Sequence, residues 1–389
     1  GKKLLVGWTL LFATLMFFLV PQASPAADVT LVPSISVRGE YDDNVTYTRT
    51  DEVGDYVGIV SPAFTLDYAT ELIDLEARAI VDVLRYADES DLNTENQIYR
   101  LNAGYRFAER WRAAGNVSYI KDTTLDSELE ETGIVNFRQD RERLNAGAGL
   151  SYRFTELSDI GLNYAYSRTD YEEEGLEDYY SNRFNAVYSR RFNEGLDIIS
   201  IRPSYSQGES DASKVDGYRF TVGWTHLPSE TYRLEVSLGA RYTVEDFKYD
   251  RDTAKNWGGL ADINLRKSGE VYSARAGFNS DVYYDPFRRG IIQVFKLYGD
   301  YNRRILERLS AGINGRISLT IPDDEDAVRD ENIWYFTVSP FLSYRLTENH
   351  FLRLGYTYQQ EYDENFDDNE RNVRNRVWVA LNFNFPYKW

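Results

Sequence analysis

Residues 373–389 show a strict alternation of side-chain character. Apolar and aromatic residues occupy one set of alternate positions, and polar residues, with two arginines among them, occupy most of the other set. A period of two is the pattern of a β-strand whose two faces meet different surroundings. An apolar face of this length opposite an Arg/Asn face favours a strand with lipid on one side and water on the other. An ordinary amphipathic strand is the alternative interpretation.

The aromatic residues of this stretch form a second pattern. Phe383, Phe385, Tyr387 and Trp389 share the apolar face. An alternating strand with a terminal aromatic residue resembles the C-terminal insertion signal of bacterial outer-membrane β-barrels, in which the last residue is most often Phe. We therefore predict that these four residues are an insertion signal, and that the barrel-assembly machinery is a partner.

The same alternating unit recurs along the rest of the chain. Pairs of alternating runs are joined by short turns of related sequence, such as those that end in Glu109, Glu156 and Glu348, at intervals of roughly forty residues, the length of a hairpin and its return. We predict a transmembrane antiparallel up-and-down β-barrel of about 18 strands, with 16 as the alternative count. Short turns would lie on the periplasmic side and longer acidic loops, for example residues 207–217, on the extracellular side.

Composition supports a membrane barrel over a soluble fold. The chain has 31 Tyr and 20 Phe residues but no Cys, and its formal net charge is −18. Abundant aromatic residues in alternating runs fit a barrel with aromatic girdles. A soluble solenoid or β-sandwich array would need polar outer faces, whereas one face of almost every run is apolar.

The beginning of the sequence predicts export. An apolar run over residues 4–20 follows two lysines and precedes a stretch of small residues that ends at Ala27. This arrangement is typical of a secretory signal peptide, and a single membrane anchor is the alternative. We predict a signal peptide at 1–27 and a barrel at 28–389, located in the outer membrane of a Gram-negative-type bacterium in contact with its lipid and lipopolysaccharide.

The strand face opposite the apolar one is predicted to line a pore. It carries more arginines than acids, which would concentrate anions in a narrow duct. The alternative is that these arginines pair with inward-facing acids across the strands. The predicted pore-lining arginines are Arg38, Arg78, Arg100, Arg106, Arg153, Arg183, Arg191, Arg219, Arg241, Arg275, Arg316, Arg345, Arg374 and Arg376.

An eighteen-stranded barrel leaves an aqueous channel unless something fills it. The longest predicted loop, residues 121–137, contains an apolar stretch that we expect to fold inward and narrow the pore. The predicted constriction residues are Gly133, Ile134, Val135, Asn136 and Phe137. Inward-pointing aromatic residues such as Tyr335 would offer stacking surfaces for sugar rings.

Catalytic and metal sites are not predicted. Both histidines, His226 and His350, fall at short turns rather than on the loop side, so a hydrolase at the loop rim lacks its general base. The carboxylate runs have no EF-hand spacing, and no Cys/His metal motif or phosphate-binding Gly motif occurs. We expect no enzyme, no cofactor, no metal site and no nucleic-acid partner.

Two stretches carry a family resemblance. Residues 34–45 place Tyr-Asp-Asp-Asn at the top of the first strand, and residues 61–66 read Ser-Pro-Ala-Phe-Thr-Leu on the second. They resemble a family of outer-membrane β-barrel porins often found in exopolysaccharide and exosortase gene clusters. The resemblance implies passage of secreted polysaccharide through the outer membrane, together with a separate periplasmic export component. A general diffusion porin with mild anion selectivity and a structural sleeve around a partner protein remain the alternatives.

Overall fold

The computed structural model describes residues 27–134, 138–172, 176–248, 252–285, 290–323, 332–363 and 371–389. Most of the predicted signal peptide lies outside the described residues, as do Val135, Asn136 and Phe137 of the predicted constriction. Every strand of the predicted barrel falls at least partly within the described ranges.

The described chain is almost entirely β-structure. One α-helix, α1 (Thr124–Thr132), lies between the fifth and sixth strands, and short 3-10 turns occupy Ser90–Leu92 and Asn193–Gly195. The strands are β1 (Asp28–Asp42), β2 (Asp55–Ala69), β3 (Ile73–Tyr86), β4 (Thr94–Ala108), β5 (Trp111–Thr123), β6 (Asp140–Thr155), β7 (Ser158–Tyr171), β8 (Tyr179–Phe192), β9 (Asp197–Ser210), β10 (Ser213–Ser229), β11 (Tyr232–Phe247), β12 (Ala254–Ser268), β13 (Tyr272–Asp285), β14 (Gly290–Arg304), β15 (Leu309–Pro322), β16 (Ile333–Arg345), β17 (His350–Asp363), β18 (Asn372–Asn384) and β19 (Tyr387–Lys388).

The strands form one closed antiparallel barrel. Each strand from β1 to β18 pairs with its sequence neighbours, and β1 closes the ring against β18 over the register Ser34↔Asn384 to Asp42↔Arg376. The short β19 extends this closure by pairing Lys388 with Thr30. Closure satisfies the edge groups that an open sheet would expose to lipid, and the predicted 18-stranded barrel is thus confirmed.

The outer face of the barrel is apolar and aromatic. On β18, Val377, Val379 and Leu381 are exposed, whereas the alternate positions are less accessible. Aromatic side chains lie on the outer face near both ends. The ring centres of Tyr242 and Trp257 are 4.8 Å apart near the long loops, and those of Trp111 and Tyr152 are 4.6 Å apart near the short turns. Two aromatic girdles that flank an apolar band are typical of barrels that span an outer membrane.

The structure differs from the predicted boundaries in two places. The expected long loop at residues 207–217 is instead a continuation of β9 and β10, which are joined by Asp211 and Ala212 alone. Its polar composition indicated a loop, but the Ser, Gly and Asp residues here lie within the ladder above the apolar band. At the other place, the final strand is interrupted at Phe385 and Pro386, because proline cannot donate to the ladder.

A buried ion pair lies where the two ends of the chain meet. The Nε of Arg374 on β18 donates to both carboxylate oxygens of Asp42 at the end of β1, at 2.8 and 3.0 Å. The two side chains are 8% and 1% exposed. Because neither charge has much access to water, each depends on the other for compensation.

We predict that replacing Asp42 with Ala destabilises the barrel by about 3–5 kcal/mol, because the Arg374 charge stays buried without a partner. Denaturant unfolding of the full chain in detergent or lipid, followed by tryptophan fluorescence, measures the change. Asp170→Ala is the matched control, since Asp170 pairs with Arg168 at an exposed position and should cost less than about 1 kcal/mol. Equal effects of the two substitutions would contradict the prediction.

Candidate functional site: the barrel interior

Helix α1 begins where β5 leaves the barrel wall. Asp126 accepts hydrogen bonds from the backbone N–H and the hydroxyl of Thr123, at 3.3 and 2.8 Å, and thereby satisfies a free donor of the first turn. Asn96 on β4 donates to the same carboxylate at 2.8 Å. The start of the helix is therefore fixed to the β4–β5 wall.

The far end of α1 reaches the nearly opposite wall, formed by β15 and β16. The carbonyl of Thr132 accepts a hydrogen bond from the Thr320 hydroxyl, and the carbonyl of Glu130 accepts one from Arg316. Gly133 ends the helix with a φ of 79°, and a Cβ at this position would lie 2.8 Å from the Ser318 hydroxyl oxygen. Only glycine permits both the backbone conformation and this close approach.

Two apolar clusters hold this insertion in the interior. The first, which we call the central cluster, consists of Tyr47, Leu125, Leu129 and Tyr335. Tyr335, predicted as a stacking surface for sugars, is 1% exposed beneath the helix and is unavailable for that role. The second cluster packs Ile134, which follows Gly133, against Ile292, Val294 and Ile333.

Acidic residues of α1 face basic residues of the wall. Glu128 lies 3.5 Å from Arg141, which is itself buried, and Glu131 forms an ion pair with Arg143. Burial raises the pKa of Glu128 to about 7; the nearby carboxylates of Asp285 and Glu131 add to the rise and the Arg141 guanidinium opposes it. The charge on the helix therefore changes close to neutral pH.

The β13–β14 hairpin also folds into the interior. The ladder between β12 and β13 runs only from Ser268↔Ser273 to Ala261↔Ser280, although both strands continue toward the long loops. Beyond that point Tyr284 stacks on Tyr179 of β8, with the two ring centres 4.5 Å apart. Its hydroxyl donates to Ser210 of β9 at 2.7 Å. These are inner-face residues, so the end of β13 lies inside the barrel and the sheet overlaps itself.

Side chains close the gap that this overlap leaves. Gln293 of β14 donates from its amide to the carbonyl of Gly259 on β12 at 3.1 Å. Its amide oxygen accepts from Arg241 at 2.5 Å, and Arg241 in turn donates to Asp323 at 2.9 Å. Arg241 is 2% exposed. This arginine therefore supports the inner packing of the hairpin rather than an open surface.

The predicted arginines all lie on the strand face opposite the exposed apolar side chains, as the cross-strand registers show. They do not all carry a free charge. The arginines of the set that form ion pairs with described acids are Arg38, Arg153, Arg191, Arg219, Arg241, Arg316 and Arg374. Those for which no ion pair occurs among the described residues are Arg78, Arg100, Arg106, Arg183, Arg275, Arg345 and Arg376.

A polar chamber of about 660 Å³ remains beside the infolded hairpin, along the wall from β7 to β13. Small hydroxyl and amide side chains make up much of its lining, and Arg183, Arg202 and Arg219 project among them. Arg219 donates to Asp281 at 2.6 Å on the hairpin side. The volume lies within the range of ligand sites in proteins.

Sequence patterns did not identify the residues that shape this interior. Leu125, Leu129 and Tyr47 fall in loops with no alternating pattern, and Tyr284 and Gln293 follow the strand pattern without any sign of the infolding. One signal was present, because Thr123 followed three residues later by Asp126 is a helix-start pattern within a loop. Gly133 and Ile134 of the predicted constriction do lie in the inserted segment.

The sequence matches a known family over part of its length. The model of the family described as "Putative beta-barrel porin 2" matches residues 25–186. The resemblance to a family of outer-membrane β-barrel porins is thereby confirmed. Together with the apolar outer band, this match indicates an outer-membrane location. No curated protein matches the sequence.

Several solved outer-membrane proteins have similar structures. OccK9 (OpdG) of Pseudomonas aeruginosa is 11% identical, with a TM-score of 0.48 and coverage of 93% of this chain and 98% of that one. OccK2 (OpdF) of the same organism is 11% identical, with a TM-score of 0.47 and coverage of 92% and 98%. The siderophore receptor PirA of Acinetobacter baumannii is 8% identical, with a TM-score of 0.45 and coverage of 94% and 81%.

Two further features are absent from the described ranges. These ranges contain no helix long and apolar enough to cross a bilayer. They also contain no group of three or more His, Asp or Glu side chains that could hold a metal ion.

We predict that Leu129→Ala raises single-channel conductance in planar bilayers. The substitution removes a fully buried side chain from the central cluster, at a cost of about 2–5 kcal/mol to the packing that holds α1 across the interior. Deleting residues 130–136 should raise conductance further. Leu162→Ala is the control, since Leu162 lies on the outer face and is 60% exposed. Unchanged conductance in both α1 variants would show that this segment does not narrow the pore.

We also predict that conductance depends on pH through Glu128. The pKa of Glu128 is raised from the ordinary 4.5 to about 7, so the cost of burying this charge is fully present above pH 7 and decreases progressively as the pH falls from about 7 toward 4.5. The helix should then be held more firmly, and conductance should be lower at pH 6 than at pH 8. Glu128→Gln should conduct at the low-pH level at both values, whereas Glu130→Gln should keep the dependence.

Proposed function

We propose that this chain forms a channel that passes acidic polysaccharide, or another anionic solute, through the outer membrane. The observation that carries the proposal is a row of arginines in directly opposed positions on the inner face. Arg233 of β11 is opposite Arg266 of β12, and Arg266 is opposite Arg275 of β13. Like charges directly opposite each other destabilise a sheet, so a basic row that persists in a wall favours an anionic occupant.

Neutralisation within the row is incomplete. Arg233 bonds to Glu235 at 2.5 Å, and the guanidinium of Arg275 lies 5.1 Å from the centre of the Tyr298 ring. Arg266 and Arg275 are exposed and form no ion pair with a described acid. Exposed guanidiniums at the short-turn end of the duct raise the local concentration of anions there.

A second pair repeats the arrangement on the other side of the barrel. Arg78 of β3 is opposite Arg100 of β4, and neither forms an ion pair within the described part of the chain. Guanidiniums therefore face the lumen from two walls. An extended anion that moves along the axis would meet charge on both sides.

The alternatives fit the interior less well. A sleeve around a partner protein needs space, and α1 together with the infolded hairpin already occupies part of the lumen toward the long loops. A general diffusion porin with mild selectivity is favoured by the seven arginines that are neutralised by acids. Arg266 and Arg275, the exposed arginines of the row that form no ion pair with a described acid, distinguish the two functions.

We predict that the double variant Arg266→Gln/Arg275→Gln lowers the anion-to-cation permeability ratio by roughly two- to five-fold, as expected for the loss of about 1 kcal/mol of attraction. Reversal potentials across a salt gradient in planar bilayers give the ratio. Arg85→Gln is the control, because Arg85 lies on the opposite strand face and pairs with Glu95.

An unchanged ratio in the double variant would favour the general porin. The polymer itself is tested in the native host, where deletion of the gene should stop secretion of the acidic polysaccharide. Normal secretion by the deletion strain would limit the proposal to small anions.

A further inference from the structure

We propose that the polar chamber between β7 and β13 is a binding site for a carboxylate-bearing oligosaccharide. The inference rests on the proposed function and adds a defined site and a ligand class to it. The chamber is lined by residues of seven consecutive strands, most of them on the inner face, and its lining lies within the described ranges.

The acids of the chamber are already engaged. Glu235 is bonded by Arg233 at 2.5 Å, Asp262 accepts from the Asn279 amide at 3.1 Å, and Asp281 accepts from Arg219 at 2.6 Å. Each carboxylate that faces the space therefore has a donor from within the protein. The carboxylates of Asp281 and Glu235 are thus paired with a guanidinium, whereas Asp262 accepts from a neutral amide and keeps its negative charge.

Two guanidiniums of the chamber are free of such pairing. Arg183 of β8 and Arg202 of β9 form no ion pair with a described acid, and both are exposed to the space. Set against these two cations, Asp262 is the one carboxylate of the described lining that lacks a cation partner, so the site keeps an excess of one positive charge. Guanidinium binds a carboxylate through two parallel hydrogen bonds, which makes a carboxylate the matching group on a ligand.

The spacing of the two arginines sets the length of the ligand. Arg183 is opposite Ser206 in the β8–β9 register, and Arg202 lies four residues further along β9. At about 3.3 Å per residue the two attachment points are roughly 13 Å apart along the strands. This distance exceeds one sugar ring, so an oligosaccharide can engage both arginines and a monosaccharide only one.

The lining between the arginines suits hydroxyl groups. Asn163, Asn185, Ser204 and Thr221 supply amide and hydroxyl groups, and these short side chains leave the space open. Amide and hydroxyl groups both donate and accept hydrogen bonds, as the hydroxyls of a sugar do.

The test measures binding of trigalacturonate to the full chain in detergent by titration calorimetry, with maltotriose as the neutral probe of equal length. We expect trigalacturonate to bind and maltotriose to bind at least about tenfold more weakly. Arg183→Gln and Arg202→Gln should each weaken trigalacturonate binding by roughly 10- to 100-fold, the loss expected for a hydrogen-bonded charge. Monogalacturonate should respond to only one of the two substitutions.

Arg168→Gln is the matched control, since Arg168 lies on the outer face of β7 beside the chamber and pairs with Asp170. It should bind trigalacturonate like the unaltered protein, and circular dichroism should show that all variants remain folded. Equal binding of the two trisaccharides, or unchanged binding in both chamber variants, would overturn the proposal. Anion selectivity of the current can persist in that case, so failure of the site and failure of the channel function are distinguishable.

Discussion

The structure depends on the requirement that every backbone polar group facing lipid be paired. A strand in a membrane has no water to satisfy its edges, so the sheet must return to its first strand. Here β18 meets β1 over nine register pairs, and the short β19 continues the contact beyond a proline. Once closure fixes the outer face as apolar, all charged side chains of the spanning region have only the interior available to them.

That restriction explains why an acidic protein has a basic inner wall. Its surplus of acids lies largely in turns and loops, while arginines recur on the inward face of the strands. Some of these charges serve the fold, as at Arg374 with Asp42 and Arg241 with Asp323. Others, such as Arg266 and Arg183, are left without a described acid and can act on a solute. The same residue type therefore has two physical roles, and burial separates them.

The sequence predicted those features that a period of two determines. Strand number, closure and the face on which Arg38 or Arg316 lies all result from local alternation, combined with the fact that every strand has lipid on its outer side. It did not predict what fills the lumen, because that depends on contacts between distant segments. Leu129 packs on Tyr335 from the other side of the barrel, and Tyr284 reaches Tyr179 only because β13 leaves β12. Nothing in the alternation of β13 distinguishes it from a strand that stays in the wall.

The broken ladder between β12 and β13 gives the two ends of the barrel different circumferences. Toward the short turns all the strands share the perimeter, whereas toward the long loops the end of β13 lies inside the wall and the sheet overlaps itself. The interior is thus a tapered space and not a cylinder of constant width. Travel toward the long loops leads into a narrowing passage, and travel in the other direction leads out of one. The barrel is therefore asymmetric along its axis, and the two directions of passage through it are not equivalent.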